Sequence, residues 1–185
     1  MSEMLQITIP STEFWDERKE EFVYEKEKTL QLEHSLVSIS KWESKWHKAF
    51  LTNKEKTTEE IIDYIKCMTI TQNVDPNVYS RITNKIIQEI YEYINDPMTA
   101  TVLNDRNRQG GGGSRETITS ELIYYWMIAL NIPFECKKWH LNRLLTLIRV
   151  CEVKNAPPKK MSKSDLMSRN AALNAARRKQ FNTKG

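Results

Sequence analysis

The sequence predicts a mainly α-helical fold: a helical bundle with a small N-terminal β element and a basic, partly helical C-terminal tail. Three observations carry this prediction. Over residues 35–153, apolar residues recur mostly at three- and four-residue steps, the spacing of one helix face. Before that stretch, Leu5-Gln6-Ile7-Thr8-Ile9 alternates apolar and polar and stops at Pro10, a short strand pattern. After it the charge changes sign: residues 154–185 hold nine Lys/Arg and one acid, whereas 1–153 hold 19 bases and 23 acids.

Residues 13–33 are charge-dense, and Phe22, Tyr24, Leu30 and Leu32 alternate weakly, so a second strand or a hairpin fits there. Leu36, Ile39, Trp42, Trp46 and Phe50 then mark an amphipathic helix. Thr57 and Glu60 stand at capping-box spacing ahead of the stripe Ile61, Ile62, Ile65 and Met68. Asp75-Pro76 opens a further helix, because proline suits a first turn. Its stripe is Val78, Ile82, Ile86, Ile90 and Ile94, and Asn95-Asp96-Pro97 ends it.

Residues 98–120 read as loop, and four of the five glycines fall there, at Gly110 to Gly113. Flexibility is expected over 104–116, because glycine-rich polar chain buries nothing. The string Gly110–Ser114 reads equally as a native loop or as an inserted linker. Thr119 or Ser120 caps the next helix. Its run Leu122, Ile123, Tyr124, Tyr125, Trp126, Met127, Ile128 and Leu130 is apolar nearly all round, which marks it as the central buried helix. Pro133 opens another, with Phe134, Leu141, Leu144, Leu145, Ile148 and Val150 facing the core. Ala156-Pro157-Pro158 breaks the fold. Beyond it, 166–179 is rich in helix formers but poor in apolar residues, and such a helix forms mainly on contact with something. Three regions result: an N-terminal strand and charged segment (1–34), a helical core domain interrupted at 104–116 (35–153), and a basic tail (154–185).

Composition narrows the function classes. The 185 residues are 39% hydrophobic and 28% charged, enough for a modest core and too little for a large pocketed enzyme. No run approaches the ~18 apolar residues of a membrane helix. The opening MSEMLQITIP lacks the basic and apolar parts of a secretory signal, so none is expected. Cys67, Cys136 and Cys151 are odd in number, widely spaced and without a CxxC pair. Reduced thiols in a cytoplasmic protein are expected.

No residue pattern composes an active site. Cys136 and His140, four apart on one predicted helix, could supply half a zinc site, but His34, His47 and Cys67 lie scattered elsewhere. The glycine run lacks the following Lys-Ser/Thr of a phosphate loop and follows no apolar strand. No catalytic residue, metal or cofactor is therefore expected. Two features point to binding. Trp42 and Trp46 sit at i and i+4 on one helix face, and tryptophan pairs anchor interfaces, although they anchor cores as often, so at least one is expected inside. Arg177-Arg178-Lys179 in the tail could meet phosphates or acidic protein surfaces. No aromatic interleaving except Phe181 accompanies that run.

Several segments together resemble the tail assembly chaperones of long-tailed bacteriophages, small proteins encoded beside the tape-measure gene. They are Leu32-Glu33-His34-Ser35-Leu36 running into Ser40-Lys41-Trp42-Glu43-Ser44-Lys45-Trp46; Lys56-Thr57 leading to Tyr64-Ile65; Met98-Thr99-Ala100-Thr101; Trp139-His140-Leu141-Asn142-Arg143-Leu144-Leu145; and Ala171 to Gly185, ending Asn182-Thr183-Lys184-Gly185. The similarity runs over most of the chain, and no single string is diagnostic. The resemblance implies a non-enzymatic helical protein of the host cytoplasm. It implies that this protein coats the tape-measure protein and keeps it soluble until tail-tube subunits displace the chaperone. Tail-tube contacts belong to the same expectation, and self-association is a further possible contact. Two other readings stand beside it: a nucleic-acid-binding accessory protein acting through the tail, and a head–tail or other virion component.

Overall fold

The computed structural model describes residues 4–17, 20–52, 54–102, 117–156 and 163–182. The fold is mainly helical, with a small β element at the N-terminus. Strands β1 (Leu5–Ile9), β2 (Thr12–Asp16), β3 (Glu21–Glu25) and β4 (Lys28–Leu32) come first. Helices α1 (Leu36–Trp46), α2 (Thr58–Met68), α3 (Asn84–Asn95), α4 (Ser120–Ala129), α5 (Leu141–Asn155) and α6 (Lys163–Phe181) follow, with 3₁₀ turns at Pro76–Arg81 and Phe134–Lys138. The expected flexible segment 104–116, with its Gly110–Ser114 string, lies outside the described residues.

The strands nest as one hairpin in two halves. β1 pairs antiparallel with β4 (Ile7 opposite Leu30), and β2 pairs with β3 (Trp15 opposite Phe22). Pro10, which has no N–H to give a ladder, falls at the break between the halves. Alternation puts Ile7, Ile9, Leu30 and Leu32 on one face of the inner half, and all four are buried. β4 runs on to bond the chain after α2: Glu33 N–H donates to Met68 O and Ile70 N–H to Gln31 O, both at 2.9 Å.

The chain divides into two compact units, Met1–Val153 and Lys154–Gly185. The strands belong to the first, because their inward side chains share its core with Leu36, Ile39, Trp42, Ile65, Met68, Ile123, Met127, Leu141 and Leu144. α1 packs against α2, α4 and the second 3₁₀ turn, and α3 against β1. The second unit holds α6, whose described side chains are all exposed.

Local chemistry explains where the elements start. Thr57 and Glu60 form the capping box their spacing predicts: Glu60 N–H donates to Thr57 Oγ1 (3.2 Å) and Thr57 N–H to Glu60 Oε2 (2.8 Å). The single helix expected from Asp75 to Ile94 is two pieces. Asp75 Oδ1 accepts from Asn77 N–H and starts a 3₁₀ turn, Ile82 is extended (ψ 118°), and Thr83 caps α3. Val78, Ile86 and Ile90 still face inward, so the stripe survives the break. The helix expected from Pro133 is likewise split. Its 3₁₀ turn leaves Phe134 half-exposed, α5 begins only at Leu141, and Val150 is half-buried rather than core.

α4 departs furthest from expectation. It was predicted as the central buried helix, yet only Ser120, Ile123 and Met127 are buried. Neighbours cover one side, and the arc of Glu121, Tyr125, Ile128 and Ala129, flanked by the partly buried Leu122, faces away from them. Apolar composition sets what a helix can bury, and the elements packed against it set what it does bury.

Candidate interaction site

His34 and His140 meet inside the first unit, their rings 4.9 Å apart and edge to face. They are joined because Ser35 bridges to His140 and Leu141 N–H donates to His34 O (2.9 Å). His34 Nδ1 lies 2.6 Å from Tyr64 Oη, which lies 3.3 Å from Ser38 Oγ. His140 Nε2–H donates to Tyr93 O (3.0 Å), and His34 N–H to Tyr93 Oη (3.2 Å). Burial, then the neighbouring His140, pushes the His34 imidazole down to about 3, and burial raises the Tyr64 phenol far above its ordinary value. Both are neutral near pH 7. The two histidines and Tyr64 are sealed from solvent, so this junction ties β4, α2, α3 and α5 together and offers a substrate no approach.

Two cysteines and two carboxylates nearby are likewise held by their surroundings. Cys136 stands in the 3₁₀ turn and His140 beyond its end, so they do not share the single helix their spacing predicted. Burial raises the thiols of Cys67 and Cys136, which leaves little thiolate. Among the described residues, no group of three or more His, Cys, Asp or Glu is placed to hold a metal ion. Burial alone would raise the Asp63 carboxyl. Hydrogen bonds from Lys45 and Trp46, with the charge of Lys66, hold it below its ordinary value. Glu60 is held low by Lys48 at 2.5 Å and by the Thr57 N–H.

The predicted partner-binding tryptophans separate. Trp42 is 1% exposed and its indole N–H donates to Glu60 O (3.0 Å). It is a core residue whose edge lines an open cavity of about 530 Å³ with Lys48, Lys56 and Glu60. Trp46 stacks on Trp42 at 6.2 Å and donates to Asp63 Oδ2 (2.9 Å), keeping one side half-open. Arg177, Arg178 and Lys179 are exposed on α6. Being consecutive, they spread around the helix instead of forming one stripe.

An exposed apolar surface on α4 was not foreseen from the sequence. On α4, Tyr125 is 63% exposed and Ile128 60%, and Tyr124 stacks with the half-exposed Phe134 at 6.4 Å. Beside them an open groove of about 300 Å³ is lined by Ile118, Trp126, Leu145, Thr146, Ile148, Arg149 and Glu152. Glu43 on α1 seats the helix. Its buried carboxylate accepts from Phe50 N–H and from Ser120 N–H, both at 2.7 Å, and so meets the positive end of α4. The available signal was that this helix is apolar through more than one face, which exceeds what one side of a core consumes.

No protein-family model matches the chain, and no curated protein or solved structure matches it. No described helix is long and apolar enough to cross a membrane.

Proposed function

We propose that the chain is a non-enzymatic phage tail assembly chaperone that binds apolar helices of the tape-measure protein in the host cytoplasm. In this reading α1–α5 act as a helical bundle that presents the outer arc of α4. Residues 154–185 act as a separable basic tail. Tail-tube subunits would displace the client, and the protein has no catalytic step. The observation that carries the reading is the open face of α4 around Tyr125 and Ile128, together with the groove beside it. Contiguous exposed apolar surface on a small protein marks an interaction site, and an amphipathic helix laid in a groove is a common docking mode. The resemblance of the sequence to the chaperone group supplies the client class.

Co-expression tests the proposal. The unmodified chain is expected to keep the tape-measure product of the neighbouring gene in the soluble fraction. Tyr125→Asp with Ile128→Asp should keep the circular dichroism of the fold, since neither side chain is core, and should lose about 2 kcal/mol or more of client affinity. The nucleic-acid reading replaces this one if the intact chain binds duplex DNA with a steep salt slope and solubilises no apolar helical client.

A further inference from the structure

The β2–β3 half of the hairpin carries a second surface, distinct from α4. The register sets Trp15 opposite Phe22 and Glu13 opposite Tyr24, and alternation places all four on one face. Trp15 is 49% exposed, Phe22 67% and Tyr24 62%. Trp15 and Phe22 hold each other edge to face at 5.0 Å, which fixes their rings without covering them.

Acids surround these rings. Glu13 shares their face, and the exposed Glu17, Glu20 and Glu21 lie at the far end. Over residues 12–27 there are seven acids and three bases. An oily partner would bury these carboxylates unpaired, which is costly. A cationic side chain satisfies both elements of the face, since its charge meets the carboxylates and lies over the ring quadrupoles. Arginine does this best, because its planar guanidinium stacks on rings and forks onto carboxylates.

Arg81 holds the base of this half in place. Its Nη1–H groups donate to Pro10 O (3.0 Å) and Lys26 O (3.4 Å), and its Nε lies 3.1 Å from Glu25 Oε2. Both strands are gripped where the hairpin breaks, so the aromatic face is presented by an anchored base.

We infer that the Glu13–Trp15–Phe22–Tyr24 face docks an arginine-rich segment of a partner protein.

Fluorescein-labelled octa-arginine is the probe, titrated into the full-length chain at physiological salt, with octa-glutamate as the control. Octa-arginine binds and octa-glutamate does not. Trp15→Ala with Tyr24→Ala, which leaves every acid in place, weakens binding about tenfold or more. Glu13→Gln, which leaves every ring in place, also weakens it. In the unmodified chain the Trp15 indole N–H resonance, assigned with Trp15→Phe, shifts on addition of peptide. That measurement stands even where the alanine variant disturbs the hairpin. No binding by the unmodified chain overturns the inference. So does unchanged affinity in the ring-deleted variant, or a Trp15 resonance that stays in place while peptide binds. Because α4 is untouched by these substitutions, client solubilisation reports separately on the proposed function.

Discussion

The two halves of the N-terminal hairpin share one strand period, aliphatic in the inner half and aromatic and acidic in the outer, and they end in opposite environments. In β1–β4, Ile7, Ile9, Leu30 and Leu32 vanish into the core beneath α3 and the start of α1. In β2–β3, Trp15, Phe22 and Tyr24 stay open. Alternation states which side chains share a face. It does not state whether anything packs on that face. The inner half packs into the core, and the outer half leaves its aromatic face open.

Paired alanine substitutions break this comparison most directly. Leu30→Ala should cost ~2–5 kcal/mol, since a fully buried leucine leaves a cavity. Phe22→Ala should cost ~1 kcal/mol or less, the worth of one cross-strand aromatic pair. Urea midpoints of the two variants measure the gap, and equal losses would erase the distinction between the halves.

Acid sharpens the contrast at the end of β4, where His34 lies. In the unfolded chain His34 titrates near 6.5, whereas in the folded chain burial and His140 hold it down to about 3. The folded state resists the proton that the unfolded state accepts. Stability from this group is therefore complete above about pH 6.5 and falls as the pH drops toward 3. Near pH 5 the loss should be on the order of 2 kcal/mol. Denaturant melts near pH 7 and near pH 5 check it, in a window above the carboxylate titrations. A level profile would mean that His34 takes up its proton as readily in the folded chain as in the unfolded one.

Arg81→Ala should cost ~1 kcal/mol, for the lost grip on two carbonyls. Its signature is local. Amide exchange should quicken in Glu21–Glu25 while Lys28–Leu32 stays protected. Equal loosening of both ladders would show that Arg81 supports the whole hairpin and not its outer half.

Features set by neighbours in sequence were legible before the structure. The Leu5–Ile9 alternation, the Thr57–Glu60 box and the stop at Asn95-Asp96-Pro97 each depend on a few adjacent residues, and each stands as read. Features set by what packs from elsewhere were not. A continuous stripe from Val78 to Ile94 is compatible with one helix or with two pieces sharing a face, and Thr83 chose the second by capping α3. Tryptophans four apart share a face, but only the position of α2 decides that Trp42 is enclosed and Trp46 is not. Cys136 and His140 were grouped by spacing, while His140 turns instead to Tyr93 and His34, residues far away in sequence. The open arc of α4 is invisible to composition, because an apolar residue reads the same in sequence whether or not anything packs on it.

Glu43 carries one further consequence. Its carboxylate joins α1 to the first residue of α4 across the whole stretch of chain between them. The placement of α4 is thus written in part in α1 and the core, through Glu43, Ile123 and Met127. Placement and connectivity are separable at this point: two pieces of this chain parted between α3 and α4 would still carry, on opposite pieces, the donor and the acceptor that seat the helix.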